Sequence, residues 1–560
     1  MKFYPVLASV VILFINITWC SAVADTTPVP KEAIASAQPL ATRAGMEILA
    51  AGGNAFDAAV AVSAALAVVE PTSSGLGGGG FWLLHRASDG RDVMIDGRER
   101  APLAARRDMY LDKNGEVIPN LSIDGPLAAG IPGEPAALVH LARRYGRLPL
   151  TKSLAPAIRL ARNGFPVDEH FQRLAKFRLK VLRASPAAAA VFLHNNEVPE
   201  LGYLVKQPDL AVTLTRLAQQ GKAGFYSGEV AKKLIAGVRD AGGIWSEKDL
   251  ASYRVVERNP IKGNYRGLHV TSASPPSSGG IVLLTMLNIL SGYDLAKLDA
   301  ATRTHAIVEA MRRAYRDRAQ YLGDPDFVRM PIAQLISPFY AAGLRASIRL
   351  DKATPSSSLP GVAADSHSID TTHFSILDKD GNRVAATLSI NYPFGSCFMP
   401  KGTGVVLNDE MDDFSAKPNV PNVYGLVGGD ANSIAPGKRP LSSMTPTFLE
   451  DNKKIVILGT PGGSRIITMV LLATLDIASG GDAVSAVSVK RFHHQFLPDV
   501  IQYEPEALTP EVITTLRSQG YQLRDLGYRY GNMQLVWWDK IHHRASAASD
   551  PRGRGLALTK

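Results

Sequence analysis

Apolar spacing along the chain changes character near residue 370. Before that point the helical period dominates. "ATRAGMEILAAGGNAFDAAVAVSAALAVVEP" within 31–70 predicts two closely packed helices broken at Gly52-Gly53, with Asn54 capping the second. "SSGLGGGGFWLLHR" reads as a glycine loop entering a strand. Further helical patterns lie near 151–163, 208–220, 280–291 and 301–322. The last, "ATRTHAIVEAMRRAYRDRAQYL", pairs an apolar stripe with a basic outer face, which reads as solvated. Residues 351–370, "DKATPSSSLPGVAADSHSID", have no period and read as a loop or linker. After them the pattern turns to alternation. "TTHFSIL" and "RVAATLSIN" flank "DKDGN", whose Asp380-Gly381 is a hairpin signal. Shorter strands are expected at 403–407 and 454–458, and a strongly apolar helix from about Arg465. No internal repeat is visible.

The N-terminus has its own pattern. An apolar run from about Val6 to Trp19 follows Lys2, and Ala22-Val23-Ala24 supplies a small-x-small cleavage pattern. The run is short against the roughly 20 apolar residues of a membrane span. It reads as a signal peptide, 1–24, cut after Ala24. A lipoprotein signal through Cys20 is the alternative, but Thr18-Trp19 makes a poor lipobox. The remaining chain is expected to be exported, to the periplasm or the medium, without a membrane span. Cys397 is then the one cysteine left, so no intramolecular disulfide is expected.

Composition adds little: 560 residues, 46% hydrophobic and 20% charged, are ordinary for a globular chain. The formal charge of +10 falls to +9 without Lys2. Its basic residues are scattered, which argues against nucleic acid as a partner.

Common hydrolase signatures are missing: no G-x-S-x-G, S-x-x-K or H-E-x-x-H occurs. His493-His494 and His542-His543 lack a zinc framework, and no metal or cofactor is expected. "GLGGGG", 75–80, lacks G-K-[ST] and reads as a tight turn at a site wall. What remains is threonine. A threonine hydroxyl needs a base beside it, and an N-terminal threonine carries its own in the free α-amine, with a pKa of about 7.7–8.0. "DTT" at 370–372 could supply one only if the Asp370–Thr371 bond is cut. The Thr371 hydroxyl lies next to the Asp370 carbonyl and can attack it, giving an ester that water opens. Two ordinary strand threonines are the other reading. Three later segments favour the first. "NDEMDDFSAKP", 408–418, is densely acidic, though without EF-hand spacing. "RPLSSMTPT", 439–447, offers adjacent serines. "LGTPGGSRIIT", 459–468, presents backbone N–H groups at a helix start, a natural oxyanion hole.

These segments resemble a known family. "DTTHFS", "NDEMDDFS", "PNVYGLVGGDAN", "KRPLSSMTPT" and "GTPGGSRIIT" are similar to the small subunit of γ-glutamyltransferases (γ-glutamyltranspeptidases). "GLGGGGF", "DGRERAP", "AAGIPGEP" and "YLGDPDFV" are similar to their large subunit. The resemblance runs from about Lys31 to Pro551. It implies an α+β fold of the N-terminal-nucleophile hydrolase type, two antiparallel sheets between helical layers. It also implies autocleavage into a large subunit, 25–370, and a small one, 371–560, that stay together as one catalytic unit. The implied activity is cleavage of γ-glutamyl amides such as glutathione through a γ-glutamyl-enzyme, with transfer to water, amino acids or peptides. The implied roles are Thr371 as nucleophile and Ser389, where many members have threonine, as its orienting hydroxyl. Gly462 and Gly463 form the oxyanion hole. Arg98, with Ser442 and Ser443, takes the substrate α-carboxylate. Asn391, Glu410 and Asp413 surround its α-amino group. Residues 417–432 resemble a lid loop with Tyr424 as gating aromatic. The rivals are a cephalosporin acylase removing a glutaryl group, which needs no acidic pocket, and a non-catalytic exported binding protein.

Overall fold

The computed structural model describes Met1 and residues 31–359, 371–417 and 420–560. The expected signal peptide, the linker from 360 onward including Asp370, and loop positions 418 and 419 lie outside the described residues. No helix among those described is long and apolar enough to cross a membrane.

Two antiparallel sheets pack face to face. The first runs, edge to edge, Leu556–Thr559, Ala33–Ser36, Thr372–Leu377, Arg383–Ser389, Gly79–Arg86, Arg91–Gly97 and Val256–Arg258. The second runs Arg544–Ser549, Gln534–Asp539, Lys454–Gly459, Thr447–Glu450, Leu268–Ser272 and Ile261–Tyr265. Side-chain alternation builds the layers. From the first sheet, Phe374, Ile376, Trp82 and Leu84 face helices Ala55–Val69 and Glu134–Arg144. Their neighbours Leu377, Ala385, Phe81 and Leu83 meet Phe448, Ile457 and Val536 of the second sheet. Beyond that sheet, Val270, Leu449 and Leu458 pack with helices Gly279–Leu290, Ala300–Tyr321 and Ile466–Ala478. This is the expected helix–sheet–sheet–helix sandwich.

Several local expectations hold. Gly52-Gly53 separates helices Pro39–Ala50 and Ala55–Val69, and Asn54 caps the second through a capping box with Asp57. The Asp380-Gly381 turn joins strands paired Arg383 to Leu377 through Leu388 to Thr372. Cys397 is buried and free, its sulfur 3.3 Å from Nε of Arg178. Strand Ala33–Ser36 was not foreseen, being only four small residues long.

Two expectations are corrected. Residues 403–407 form no strand. Gly402 and Gly404 turn the chain left-handed, at φ 71° and 67°, and only a bridge from Leu407 to Gly77 remains. The described part of the linker, 351–359, is loop as expected and mostly exposed, with one 3-10 turn at Ser356–Ser358 anchored by the Ser356 hydroxyl, which donates to the Phe496 carbonyl at 2.6 Å. The basic face of the 300–321 helix is not solvated. Arg312, Arg313 and Arg318 are all buried. Two of them share carboxylates: Glu309 of the same helix accepts from Arg313 Nη1 at 2.5 Å and from Arg312 Nε at 3.3 Å, and Asp499 supplies Arg312 with a second partner.

Removing one partner of a buried ion network leaves an uncompensated charge, at a cost of about 3–5 kcal/mol. Glu309→Ala should therefore lower the thermal unfolding midpoint by many degrees, far more than an exposed Glu229→Ala. Equal melting of the two variants would refute this role.

Candidate active site

Thr371 directly precedes the strand Thr372–Leu377, near the middle of the first sheet. Alternation sends Thr372 toward the helical layer, where it is fully buried, and puts Thr371 on the inter-sheet side. Strand pairing of Leu388 with Thr372 brings Ser389 beside Thr371 on that side. Thr371, at 6% exposure, shares one pocket with Arg98, Ser389, Asn391, Glu410, Asp413, Tyr424, Ser442, Ser443 and Gly463. The structure thus gathers these expected site residues in one place. Gly462 adjoins them as the residue before the 3-10 turn Gly463–Arg465, which leads into helix Ile466–Ala478. Its φ of 138° and that of Gly463, 54°, belong to the left-handed range where only glycine is unstrained. Among the described residues neither amide donates a hydrogen bond to the protein.

The wall behind Ser389 is made by the glycine loop. A Cβ on Gly78 would collide with the Ser389 carbonyl, one on Gly80 with that of Thr387, and one on Gly77 with that of Val406. The run is therefore a close backbone approach, as expected of a turn at a site wall. Ser389 in turn accepts the Asn391 N–H at 2.8 Å, and Asn391 itself sits at φ 73°. Asp409 fixes this corner. It accepts Asn391 Nδ2 at 3.2 Å and the Tyr392 N–H at 2.9 Å, which leaves Asn391 Oδ1 for the pocket.

The charged groups are paired with one another. Arg98 is fully buried, donating through Nη1 to Glu410 and through Nη2 to Asp413, each at 2.5 Å, and through Nε to the Pro440 carbonyl at 3.2 Å. Burial pushes Glu410 well above the usual carboxylate range, against the pull of Arg98. The expected carboxylate binder and the expected ammonium binders thus form one cluster. Ser442 and Ser443 line the same pocket. Ser442 accepts the Met444 N–H at 3.1 Å, and Ser443 accepts from Arg318 at 3.2 Å.

From residue 420 on, the expected lid loop borders this pocket, and Tyr424 and Leu426 line it. Tyr424 is buried and donates its hydroxyl to the Asn391 carbonyl at 2.7 Å. The loop is tied down by Asn422 to Asp413 at 3.1 Å and by the Val423 N–H to Asp412 at 2.9 Å. Gln495 joins it to the floor, donating to the Gly425 carbonyl at 3.0 Å and accepting from Ser464 at 2.7 Å. Asp409, Asp412, Gln495 and Arg318 were not singled out from sequence. The acidic run announced Asp409 and Asp412, but not which carboxyl serves which neighbour. Of the histidine pairs, buried His493 is bonded to Thr468 and Gln495, and buried His494 to the half-buried Asp499.

Comparison with known proteins gives a consistent picture. The family model for gamma-glutamyltranspeptidase matches residues 41–559. A glutathione hydrolase proenzyme of Pseudomonas sp. (strain A14) is 46% identical over 87% of this chain and 85% of its own length. The glutathione hydrolase proenzyme of Escherichia coli K12 is 44% identical over 93% of this chain and 90% of its own. Among solved structures, a cephalosporin acylase from Bacillus halodurans superposes with a TM-score of 0.83 at 28% identity, covering 95% of this chain and 96% of that one.

Burial also pushes Asp412 up to about 7. A carboxyl raised by folding holds more protons folded than unfolded. Its contribution to stability is therefore lost as pH rises from about 4 toward 7. Asp412→Asn should flatten the fall in melting temperature across that window, and an unchanged slope would refute the assignment.

Proposed function

The chain belongs to the gamma-glutamyltranspeptidase family, and from that premise we propose that it is an exported, self-processing enzyme that cleaves γ-glutamyl amides, glutathione among them. The observation that carries this reading is the single pocket holding Thr371, the Arg98–Glu410–Asp413 cluster and the serine pair. In the proposed maturation the Thr371 hydroxyl attacks the Asp370 carbonyl, and water opens the resulting ester. Large and small subunits, 25–370 and 371–560, result, with residues 1–24 removed on export. The freed α-amine is then the base for the Thr371 hydroxyl. The nearest histidine on this face, His373, does not compete for that role. It is bonded to Thr387 at 2.9 Å and Ser375 at 3.3 Å, and burial pushes it down to about 3.

A γ-glutamyl donor carries an α-carboxylate and an α-ammonium on one carbon. Its entry exchanges ion pairs: Arg98 turns to the carboxylate, while Glu410, Asp413 and Asn391 Oδ1 turn to the ammonium. The head brings one charge of each sign, so its entry adds no net charge to the buried cluster, which limits the cost of desolvating ions. Fixing that head places the γ-carbonyl over Thr371. The negative oxygen of the tetrahedral intermediate then meets the amides of Gly462 and Gly463, where a single such donor is worth about a hundredfold or more in rate. The acyl-enzyme passes to water or to the amine of an amino acid or peptide. Ser389 holds the Asn391 corner and the nucleophile's surroundings together. A glutaryl donor has no ammonium to satisfy Glu410 and Asp413, so the acidic pocket favours γ-glutamyl over glutaryl groups.

Expressed without residues 1–24, the protein should give two fragments split at 370/371 on a denaturing gel and hydrolyse a γ-glutamyl anilide. Thr371→Ala should stay whole and inactive, and a wild-type chain that stays whole sinks the mechanism. Deleting 418–429 should change the ratio of hydrolysis to transfer by removing the cover over the acyl-enzyme. A ratio equal to that of the intact enzyme would count against a lid.

A further inference from the structure

Arg318 is the member of the buried basic face that no carboxylate neutralises at ion-pair distance among the described residues. It is 4% exposed. Its Nε donates to the Ser278 hydroxyl at 2.9 Å, and its Nη2 to the Ser443 hydroxyl at 3.2 Å. Both acceptors are neutral. Burial pushes the guanidinium down to about 10, which leaves it charged at neutral pH. Asp413 acts on it only through space.

The hydrogen bonds around the serine pair have a direction. A hydroxyl has one proton to give and two lone pairs. Ser443 accepts from Arg318, and Ser442 accepts the Met444 N–H. Among the described residues neither hydroxyl donates to a protein acceptor. Both line the pocket of Thr371, whereas Arg318 lines the neighbouring hollow beneath Leu426 and Asn422. The second anchor strengthens the arrangement: Ser278, which accepts from Arg318, passes its own proton to the Ser442 carbonyl at 2.7 Å. Arg318 thus grips the backbone of one serine through Ser278 and the hydroxyl of the other directly.

We infer that Arg318 is a positioning and specificity residue for the donor's α-carboxylate, holding Ser443 as a hydrogen-bond donor into the pocket and adding a second positive charge behind the serine pair to that of Arg98. It touches no substrate atom and acts through Ser443. The inference rests on the γ-glutamyl reading above, because only a donor with an α-carboxylate has a use for this charge.

The test compares γ-glutamyl-4-nitroanilide with its α-methyl ester, which removes that carboxylate's charge and keeps the ammonium. Wild type should prefer the free acid. Arg318→Met should raise KM for the free acid about tenfold with a smaller change in kcat, and leave kcat/KM for the ester within about twofold. The acid-to-ester preference then shrinks about tenfold. Arg318→Lys keeps the charge without the two-pronged grip and should recover part of the preference. Ser278→Ala loosens the grip and should lower it in the same direction, by less. If Arg318→Met yields no soluble protein, Ser278→Ala decides alone. An equal loss on both donors, or an unchanged preference in the soluble variants, overturns the inference. A wild-type enzyme that cleaves neither donor overturns instead the γ-glutamyl reading on which it rests.

Discussion

The architecture of the site depends on strand alternation at one point. The strand Thr372–Leu377 is flanked on both sides and buried on both faces, so its register cannot slip without sending Phe374 and Ile376 into the wrong layer. That constraint decides which threonine faces the pocket. It also puts Ser389 opposite Thr371 and obliges the glycine loop to run against the Ser389 carbonyl. The proposed nucleophile is thus located by the hydrophobic packing of its neighbours, and a single-residue shift would exchange Thr371 for Thr372.

Electrostatics is organised on the same frame. The pocket buries Arg98 against Glu410 and Asp413, residues more than three hundred positions away in sequence. An isolated buried charge would be costly, whereas a closed set of opposite charges is tolerable and ready for exchange with a ligand that brings both signs. The 417–432 loop completes this set, since Asn422 holds Asp413 and Tyr424 holds the carbonyl of Asn391. In the proposed enzyme, ligand entry would therefore involve the loop and the ion cluster together.

Much of this was legible in the sequence where local chemistry carried the signal. The Asp380-Gly381 turn, the Asn54 cap and the glycine loop each depend on residues a few positions apart. The threonine at the end of a linker stood out only together with the later acidic, serine and glycine segments, since by itself it reads equally as a strand residue. The acidic run, the serine pair and the double glycine pointed to the site, and the family resemblance assigned their roles. The basic face of the 300–321 helix was misread because helical period shows which residues share a side, not what packs against that side. Arg312 and Arg313 are buried by Glu309 and by the 353–356 segment, and Arg318 by residues near 278 and 443. The same limit applied to 403–407, where two glycines outweighed a short apolar run.

The first sheet also interleaves strands from both sides of residue 370. Ala33–Ser36 lies between Leu556–Thr559 and Thr372–Leu377, while Gly79–Arg86 pairs with Arg383–Ser389. A cut between 370 and 371 would leave every one of these ladders intact, so the two pieces could not part without tearing the sheet. What would change is the order of the return reaction. An uncut chain refolds as a single molecule, whereas two separated pieces would have to find each other, at a rate set by their concentration. Maturation would then turn reversible folding into a one-way assembly, durable through the slowness of its opening.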